Sequence, residues 1–274
     1  MKRILIIILI LLLGIGVLSY PMVSNYLSER NSSKVIQKYE DSVAAYDEDL
    51  LDTAWAEAEA YNESLSGQPV HDPFLEGSGM AIPEDYANIL NVEGIMGYVK
   101  IPKISVDLPI YHGTGEDVLK KGVGHLEGST LPIGGESRHS VLTGHSGLVH
   151  ARLFTDLIEL KQGDLFFVYV LGKTLAYEVD QIKVVEPQTT EDLGRIEGQD
   201  YCTLLTCTPY GVNSHRLLVR GVRVDYAPEM EKAATPITSR LNNKVILAAV
   251  ITSTVMLVLI VIALVRSKKR SEHL

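Results

Sequence analysis

The sequence of 274 residues is poor in cysteine and tryptophan, with two cysteines, Cys202 and Cys207, and one tryptophan. Two cysteines cannot form the multi-disulfide framework that stabilises many small secreted domains. On one extended strand, five residues span roughly 16 Å, whereas a disulfide needs Cα atoms within about 7 Å. Their odd separation also places them on opposite faces of a strand. The sequence therefore predicts no disulfide between them and at least one free thiol.

The sequence also lacks an excess of basic residues and any recognisable cofactor motif. The formal net charge is −9, and because basic residues cluster at the two ends, the middle of the chain is more acidic still. Such a surface argues against a nucleic-acid partner. There is no C-x-x-C, no H-E-x-x-H and no glycine-rich phosphate loop. We therefore expect no metal site and no cofactor.

Two apolar runs stand at the ends of the chain. Residues 4–18 follow a basic start, which fits either a signal peptide or an uncleaved anchor, and the sequence leaves both open. Residues 245–265 carry no charge and precede the basic RSKKR, which favours a transmembrane helix over a buried core helix. Positive flanks prefer the cytoplasm. We expect a membrane protein with both termini cytoplasmic, if the first segment is kept, and an external middle.

The middle of the chain divides by its hydrophobic pattern. Residues 29–65 carry one apolar stripe at three- and four-residue steps, which predicts one or two helices. Residues 66–83 are rich in Gly, Ser and Pro and predict a long loop. From Gly94 onward, short alternating runs and turn residues predict a mainly β fold, a closed barrel or a sandwich. Residues 153–160 and 191–196 are predicted as short inserted helices, and residues 166–187 as a hairpin that turns at Gly172-Lys173 and whose return strand runs to Val185.

The stretch YCTLLTCTPYGVNSHRLLVRGVRV, residues 201–224, reads as two strands joined by a turn. If the strands pair antiparallel, Cys207 and Arg216 lie near each other at the loop end. A cation beside a thiol lowers its pKa and populates the nucleophilic thiolate. The alternative is that Cys207 is a buried structural residue, as single cysteines often are.

A cysteine nucleophile needs a proton acceptor and donor, most often histidine. Of the eight histidines, His145 has the best context, because it follows a short strand within Thr143-Gly144-His145-Ser146-Gly147, where glycines permit a sharp exposed turn. The alternative is an ordinary polar loop histidine. The other histidines are His71, His112, His125, His139, His150, His215 and His273.

Thr203-Leu204-Leu205-Thr206-Cys207, with Arg216 nine residues later and His145 upstream, resembles the signature of the sortases, the cysteine transpeptidases of Gram-positive cell surfaces. The loop motif Asp72-Pro73-Phe74 and the second apolar run are similar to features of the pilin-polymerising class C branch. The resemblance implies a sortase-like eight-stranded β-barrel with short inserted helices, an N-terminal helical region and two terminal transmembrane segments.

The resemblance also implies a mechanism. Cys207 would cleave an LPxTG-like sorting signal between Thr and Gly and form a thioester, and His145 would move the protons. Arg216 would hold the substrate and stabilise the oxyanion, and a lysine of the next pilin subunit would resolve the thioester into an isopeptide bond. Asp72, Pro73 and Phe74 would form a lid, with Asp72 pairing with Arg216 or His145; the alternative is ordered packing.

The implied organisation of the chain runs as follows: 1–20 signal peptide or N-terminal anchor, 21–65 extracytoplasmic helical region, 66–83 lid loop, 84–228 catalytic barrel, 229–244 linker, 245–265 transmembrane helix and 266–274 cytoplasmic basic tail. Two rival functions remain open. One is a wall-anchoring sortase or a hydrolase on the same fold. The other is a non-catalytic, membrane-tethered adhesion or scaffold domain.

Overall fold

The protein is represented by a computed structural model that describes residues 2–65, 70–74 and 84–234, together with positions 248, 252 and 254. The described residues contain eight strands that close into a barrel in the order β1-β2-β3-β4-β7-β8-β6-β5. The strands are β1 Gly97–Ile101, β2 Val106–His112, β3 Val123–His125, β4 Arg138–Thr143, β5 Leu165–Val170, β6 Lys173–Val185, β7 Asp200–Thr208 and β8 His215–Val224. The predicted mainly β fold and eight-stranded barrel are confirmed.

The order of the strands follows from short hairpins and two parallel contacts. β5–β6 and β7–β8 are antiparallel neighbours in sequence, whereas β2–β3 and β4–β7 pair in parallel. The hairpin predicted at Gly172-Lys173 is present, since β6 starts at Lys173 and runs to Val185. Because successive side chains of a strand alternate between faces, each strand sends one set into the barrel and the other outward.

The described part of the chain contains five α-helices: α1 Lys2–Ala44, α2 Glu48–Ser64, α3 Glu84–Asn88, α4 Glu116–Leu119 and α5 Pro228–Ala233. The helices predicted over residues 29–65 are confirmed as the end of α1 and all of α2. Asp47 separates them, because its side chain accepts a hydrogen bond from the Leu50 N–H and caps α2. The inserted helices are shorter than predicted, with 3₁₀ turns at Leu157–Glu159 and Glu191–Leu193.

The helical region is fastened to the barrel by buried hydrogen bonds. The Tyr39 hydroxyl of α1 accepts from the Leu171 N–H at 2.8 Å and donates to the Met96 carbonyl at 3.3 Å. The Asn62 side chain of α2 accepts from the Leu131 N–H at 2.7 Å. Each contact satisfies a backbone group that would otherwise be buried without a partner. The second half of α1 and α2 therefore form one body with the barrel.

The chain divides into two units, residues 28–237 and residues 1–27 with 238–274. In the part of the chain that the structure describes, no helix has both the length and the apolar character needed to cross a membrane. The transmembrane helix predicted at 245–265 and the basic tail lie outside the described residues, apart from positions 248, 252 and 254. Of the loop predicted at 66–83, residues 70–74 are described, and the first residues of the predicted linker belong to α5.

Candidate active site

The β7–β8 hairpin places Cys207 opposite Arg216. The two strands pair antiparallel with Cys207 and Arg216 as register partners, next to Thr208 and His215 at the loop end. Directly opposed residues share a face and have Cβ atoms about 4.5–5.5 Å apart. Both side chains are buried. The predicted juxtaposition of the thiol and the guanidinium is therefore present.

The face that carries this pair is the outer surface of the barrel. Leu204 and Val219 belong to the main core inside the barrel, whereas Leu205 and Leu218, one position away, belong to a separate cluster. Cys207 and Arg216 share the parity of Leu205 and Leu218 and so face outward with them. We call this second group the outer-face cluster: Val70, Leu126, Val141, Leu193, Leu205 and Leu218, with Phe74 and Val185 packed at its margin.

The loop that carries His145 is tied to the strand that carries Cys207 by three hydrogen bonds. The Gly144 N–H donates to the Leu205 carbonyl at 3.0 Å, which extends the β4–β7 pairing past the strand end. The Thr206 hydroxyl donates to the Gly144 carbonyl at 2.7 Å. The Ser146 hydroxyl donates to the Cys207 carbonyl at 2.5 Å. These bonds fix the backbone beside His145 against the backbone of the proposed nucleophile.

The described part of the predicted lid contacts this site through Asp72. The Asp72 carboxylate accepts two hydrogen bonds from Arg216, 2.5 Å from Nε and 3.1 Å from Nη2. The Arg216 Nη1 group donates to the Asn213 and His215 carbonyls. Both members of the ion pair are almost fully buried, with side chains 6% and 2% exposed. Of the two partners expected for Asp72, the structure shows Arg216, and each of the three guanidinium nitrogens donates to a protein oxygen.

Phe74 lies between the two other groups that the sequence singled out. Its ring centroid is 5.3 Å from that of the His145 ring and 5.2 Å from the Arg216 Cζ atom. The Phe74 N–H donates to Asp72 Oδ1 at 2.8 Å, closing a local turn over Pro73. The segment 70–74 thus brings one aromatic ring against both His145 and Arg216.

The pKa of the Cys207 thiol corrects a prediction. We expected the neighbouring cation to lower it, but burial raises the pKa of Cys207 to about 11, because desolvation outweighs the favourable charge of Arg216. The Asp72 carboxylate raises it further by partly neutralising that charge. In this conformation the thiol is protonated at neutral pH.

Burial also lowers the pKa of His145, with the Glu116 carboxylate acting in the opposite direction and Lys120 adding to the decrease. His145 is half-buried. Because its pKa lies below the ordinary value for histidine, its ring is mainly neutral at pH 7. A neutral imidazole can accept a proton from a thiol, which is the role that a general base requires. The site holds a protonated thiol and a neutral imidazole while Asp72 engages Arg216.

The other described histidines serve different contacts. His125 is buried and hydrogen bonded to Tyr86, and His112 bonds the Ile89 carbonyl. His139 lies on β4 between Gly194 and Thr203, a position that the sequence reasoning did not single out. His71 is exposed, and His273 lies outside the described residues. Within the described residues no group of three or more His, Cys, Asp or Glu side chains could hold a metal ion.

Cys202 lies in the core inside the barrel, and both cysteines are free thiols. The sequence reasoning also did not single out Ser146 and Thr206, whose hydroxyls join the His145 loop to β7. The sequence feature that could have identified them is that each is the immediate chain neighbour of a predicted catalytic residue.

Comparisons with known proteins agree with this geometry. Residues 99–224 match the family model of the sortase domain. Sortase C-1 of Streptococcus pneumoniae is 48% identical over 70% of this chain and 98% of its own, with a TM-score of 0.68. A pilus-related sortase C of Group B Streptococcus is 46% identical over 69% of this chain and 97% of its own, with a TM-score of 0.66.

Sortase D of Bacillus subtilis is 34% identical over 131 residues, which cover 47% of this chain and 63% of that protein. The match to the solved class C structures is longer and covers nearly their whole length. The residues matched by the sortase family model, 99–224, include Cys207, His145 and Arg216. The chain belongs to the sortase family of cysteine transpeptidases, and its structural neighbours are class C sortases.

Proposed function

We propose that this protein is a pilin-polymerising transpeptidase anchored in the cell membrane, with its catalytic barrel outside the cell. One observation carries the proposal. Cys207 faces Arg216 across the β7–β8 hairpin, and the Phe74 ring joins Arg216 to His145. A thiol, an imidazole and a guanidinium, far apart in sequence, thus belong to one surface, as thiol-based acyl transfer requires.

The first half-reaction follows from these groups. His145 takes the Cys207 proton, and the thiolate attacks the Thr carbonyl carbon of an LPxTG-like signal. Arg216 donates to the oxyanion of the tetrahedral intermediate, the role that directed donors play in acyl transfer. The C–N bond to Gly breaks, His145 returns the proton to the leaving amine, and a thioester on Cys207 remains.

The second half-reaction uses the same groups in reverse. The lysine amine of the next pilin subunit loses a proton to His145 and attacks the thioester carbonyl. The C–S bond breaks, Cys207 leaves as the thiolate and takes the proton back, and an isopeptide bond forms. Because the thioester preserves the acyl group in an activated form, the exchange needs no cofactor.

The pair Asp72–Arg216 makes the conformation described above a resting state. While the Nε and Nη2 groups of Arg216 donate to Asp72, the carboxylate takes the place of a substrate oxygen on that edge of the guanidinium. We propose that Asp72, Pro73 and Phe74 act as a lid that leaves before substrate binds. Loss of the carboxylate would free the guanidinium and remove one cause of the raised Cys207 pKa together.

The proposed pilin substrate and the proposed membrane location are supported by observations outside the site. Relatives include a sortase C of Group B Streptococcus described as pilus-related. For the membrane, the support is the sequence, with its two apolar terminal runs and the basic tail that follows the second. In this proposal the barrel lies outside the cell and the C-terminal tail is cytoplasmic, as is the N-terminus if its apolar segment is not cleaved.

The test uses a pilin that carries both an LPxTG-like signal and an acceptor lysine. Incubation with the purified protein, with and without the change Asp72→Ala, should give covalent ladders on a denaturing gel. A Cys207→Ala protein is the control and should give none. Cleavage of the signal without ladders would instead identify a hydrolase or a transpeptidase with another acceptor. Neither cleavage nor ladders from any form would contradict the enzymatic assignment.

A further inference from the structure

His139 occupies a buried position between two elements that flank the outer-face cluster. It lies on β4 and is 1% exposed. Its Nδ1 atom is 2.8 Å from the Gly194 carbonyl, and its Nε2 atom is 2.7 Å from the Thr203 hydroxyl. Thr203 belongs to β7, and Gly194 belongs to the connection between β6 and β7. One ring thus bridges the sheet and a connecting segment.

The two partners fix the protonation of the ring. A carbonyl oxygen only accepts, so Nδ1 carries the proton and donates to Gly194. Nε2 of the neutral ring then accepts from the Thr203 hydroxyl. Burial lowers the pKa of His139, which keeps this neutral form at pH 7. Both ring nitrogens are satisfied, and they contact different parts of the protein.

The connecting segment, residues 186–199, forms a wall beside the outward face of the sheet. Leu193, the neighbour of Gly194, is buried in the outer-face cluster with Leu205 and Leu218. Leu205 and Leu218 lie two residues from Cys207 and Arg216 on the same face. Val70 and Phe74, on either side of Asp72, pack into the same cluster. With this segment removed, Leu193, Leu205 and Leu218 would line an apolar trough on the face that carries Cys207.

The side-chain contacts of this segment on either side of Gly194 lie close to solvent. The Lys183–Asp192 ion pair and the bond from Arg195 to the Leu65 carbonyl are both exposed, and exposed pairs of this kind contribute little to local order. The end of the segment is tied separately, by the Arg138 N–H to the Gln199 carbonyl and by the Gly198 N–H to the Ser137 hydroxyl. The hydrogen bond from His139 to Gly194 starts from a buried donor on a central strand, next to Leu193, and is therefore best placed to set the position of Leu193.

We propose that His139 is a positioning residue, whose Nδ1–H holds the Gly194 carbonyl and thereby sets the Leu193 wall of the trough that receives the sorting signal. The inference deepens the proposed function and rests on it for the identity of the ligand. His139 itself touches neither the reacting atoms nor the thiol. Its effect is on how tightly the signal is held.

Two substitutions separate the contacts of the ring. An asparagine amide can take the place of Nδ1, whereas the longer glutamine places its amide near Nε2. His139→Asn should therefore retain donation to Gly194 and lose the Thr203 contact, and His139→Gln should do the reverse. Thr203→Val removes the second contact and leaves His139 in place, so it provides an independent version of the Asn variant.

The first readout is hydrogen exchange and needs no substrate. The Leu193 and Gly194 amides are bonded within their own turn, to the Thr190 and Glu191 carbonyls. In His139→Gln their exchange should be about fivefold to tenfold faster, as expected for the loss of one hydrogen bond. In His139→Asn and Thr203→Val, the exchange rates of these two amides should stay within about twofold of the wild-type rates. Equal exchange in the Asn and Gln variants would overturn the proposal.

The second readout is kinetic and uses the Asp72→Ala background, so that lid opening is common to all proteins. With an LPxTG peptide, His139→Gln should raise KM about tenfold and leave kcat within twofold, whereas His139→Asn should keep the parental KM. A fall in kcat with unchanged KM would contradict a positioning role. If the Asp72→Ala parent forms no thioester, the proposed function fails, and the exchange readout still decides whether His139 holds the segment.

Discussion

The two faces of the β7–β8 hairpin carry one cysteine each and use it differently. Cys202 faces the interior, 1% exposed, opposite Gly221. Cys207 faces outward, 7% exposed, opposite Arg216. Desolvation raises the pKa of both thiols. Burial is more complete around Cys202, and the residue across the strand pair also differs: it is glycine, without a side chain, on the inner face and arginine on the outer face.

This contrast explains how the Cys207 thiol can stay protonated and unreactive until Asp72 moves away from Arg216. The nearest charged influence on Cys202 is Asp200, which raises its pKa further. Cys207 has Arg216, whose favourable charge is offset by Asp72. Removal of Asp72 should leave the pKa of Cys202 unchanged and strengthen the effect of Arg216 on the pKa of Cys207. The outer thiol thus has a charge balance, in which Arg216 opposes burial and Asp72, whereas near Cys202 the charge of Asp200 acts in the same direction as burial.

The largest expected effect separates the two thiols directly. Cys207→Ala should reduce thioester formation with an LPxTG peptide by roughly 10³-fold or more, because the nucleophile is removed. Cys202→Ala is the matched control and should keep the activity while losing about 1 kcal/mol of stability. Mass spectrometry of the trapped acyl-enzyme measures the first effect and thermal unfolding the second. Acyl-enzyme on a Cys207→Ala protein would remove Cys207 from its role.

A smaller but severe effect is expected at the residue across from Cys207. Arg216→Lys keeps the charge but loses the planar set of donors, so kcat/KM should fall by roughly 10²-fold. Arg220→Lys is the control four residues along the same strand, because the Arg220 Nε and Nη2 groups donate to Asp180 and not to the site. The kcat/KM of the Arg220→Lys protein should stay within about twofold of the wild-type value. Similar losses in both variants would assign the effect to the strand and not to Arg216.

The charge balance itself can be shifted by Asp72→Ala. This change removes one cause of the raised Cys207 pKa and frees Arg216, so the pKa should fall from about 11. Since the thiolate is the deprotonated form, a fall of about one unit gives about tenfold faster labelling at any pH below both values. The pH profile of labelling by a thiol reagent measures the shift. Cys202 should remain unlabelled in the folded protein, and an unchanged profile would contradict the lid.

Much of this arrangement was predictable from the chain. The strand pattern and the turn residues of 201–224 placed Cys207 opposite Arg216, since antiparallel pairing across a short loop has few registers. The hairpin at Gly172-Lys173 and the helices before residue 65 also followed from periodicity. The local residue pattern was sufficient to predict a structural element wherever the residues that pair with each other lie close together in the sequence.

The parts that sequence reasoning got wrong or missed depend on distant contacts. The sign of the Cys207 pKa shift depends on the burial of the thiol in the folded protein and on Asp72, far upstream, which pairs with Arg216. The bridge made by His139 joins Gly194 and Thr203, which share no motif. Strand β3 was not predicted either, because three residues are too short for a clear pattern.

The smallest expected effect tests the inner face by itself. A Cβ atom at Gly221 would lie 2.5 Å from Phe166 Cε1 and 2.8 Å from Tyr177 Cβ, so Gly221→Ala should overpack the barrel interior opposite Cys202. We expect a loss of about 1–3 kcal/mol, measured as a lower thermal midpoint. Below that midpoint, labelling of Cys207 should match the parent protein, because Arg216 and Asp72 lie on the other face.

Gly115→Ala is the matched control for this change. Gly115 has an ordinary φ of −60°, and a Cβ atom there would meet nothing within 4 Å. Its midpoint should therefore stay close to that of the parent. Equal midpoints for the two variants would show that the interior accommodates a methyl group by shifting Phe166. Altered Cys207 labelling in Gly221→Ala would show that the two faces are coupled through β8, and the separation of packing from chemistry across the hairpin would then be wrong.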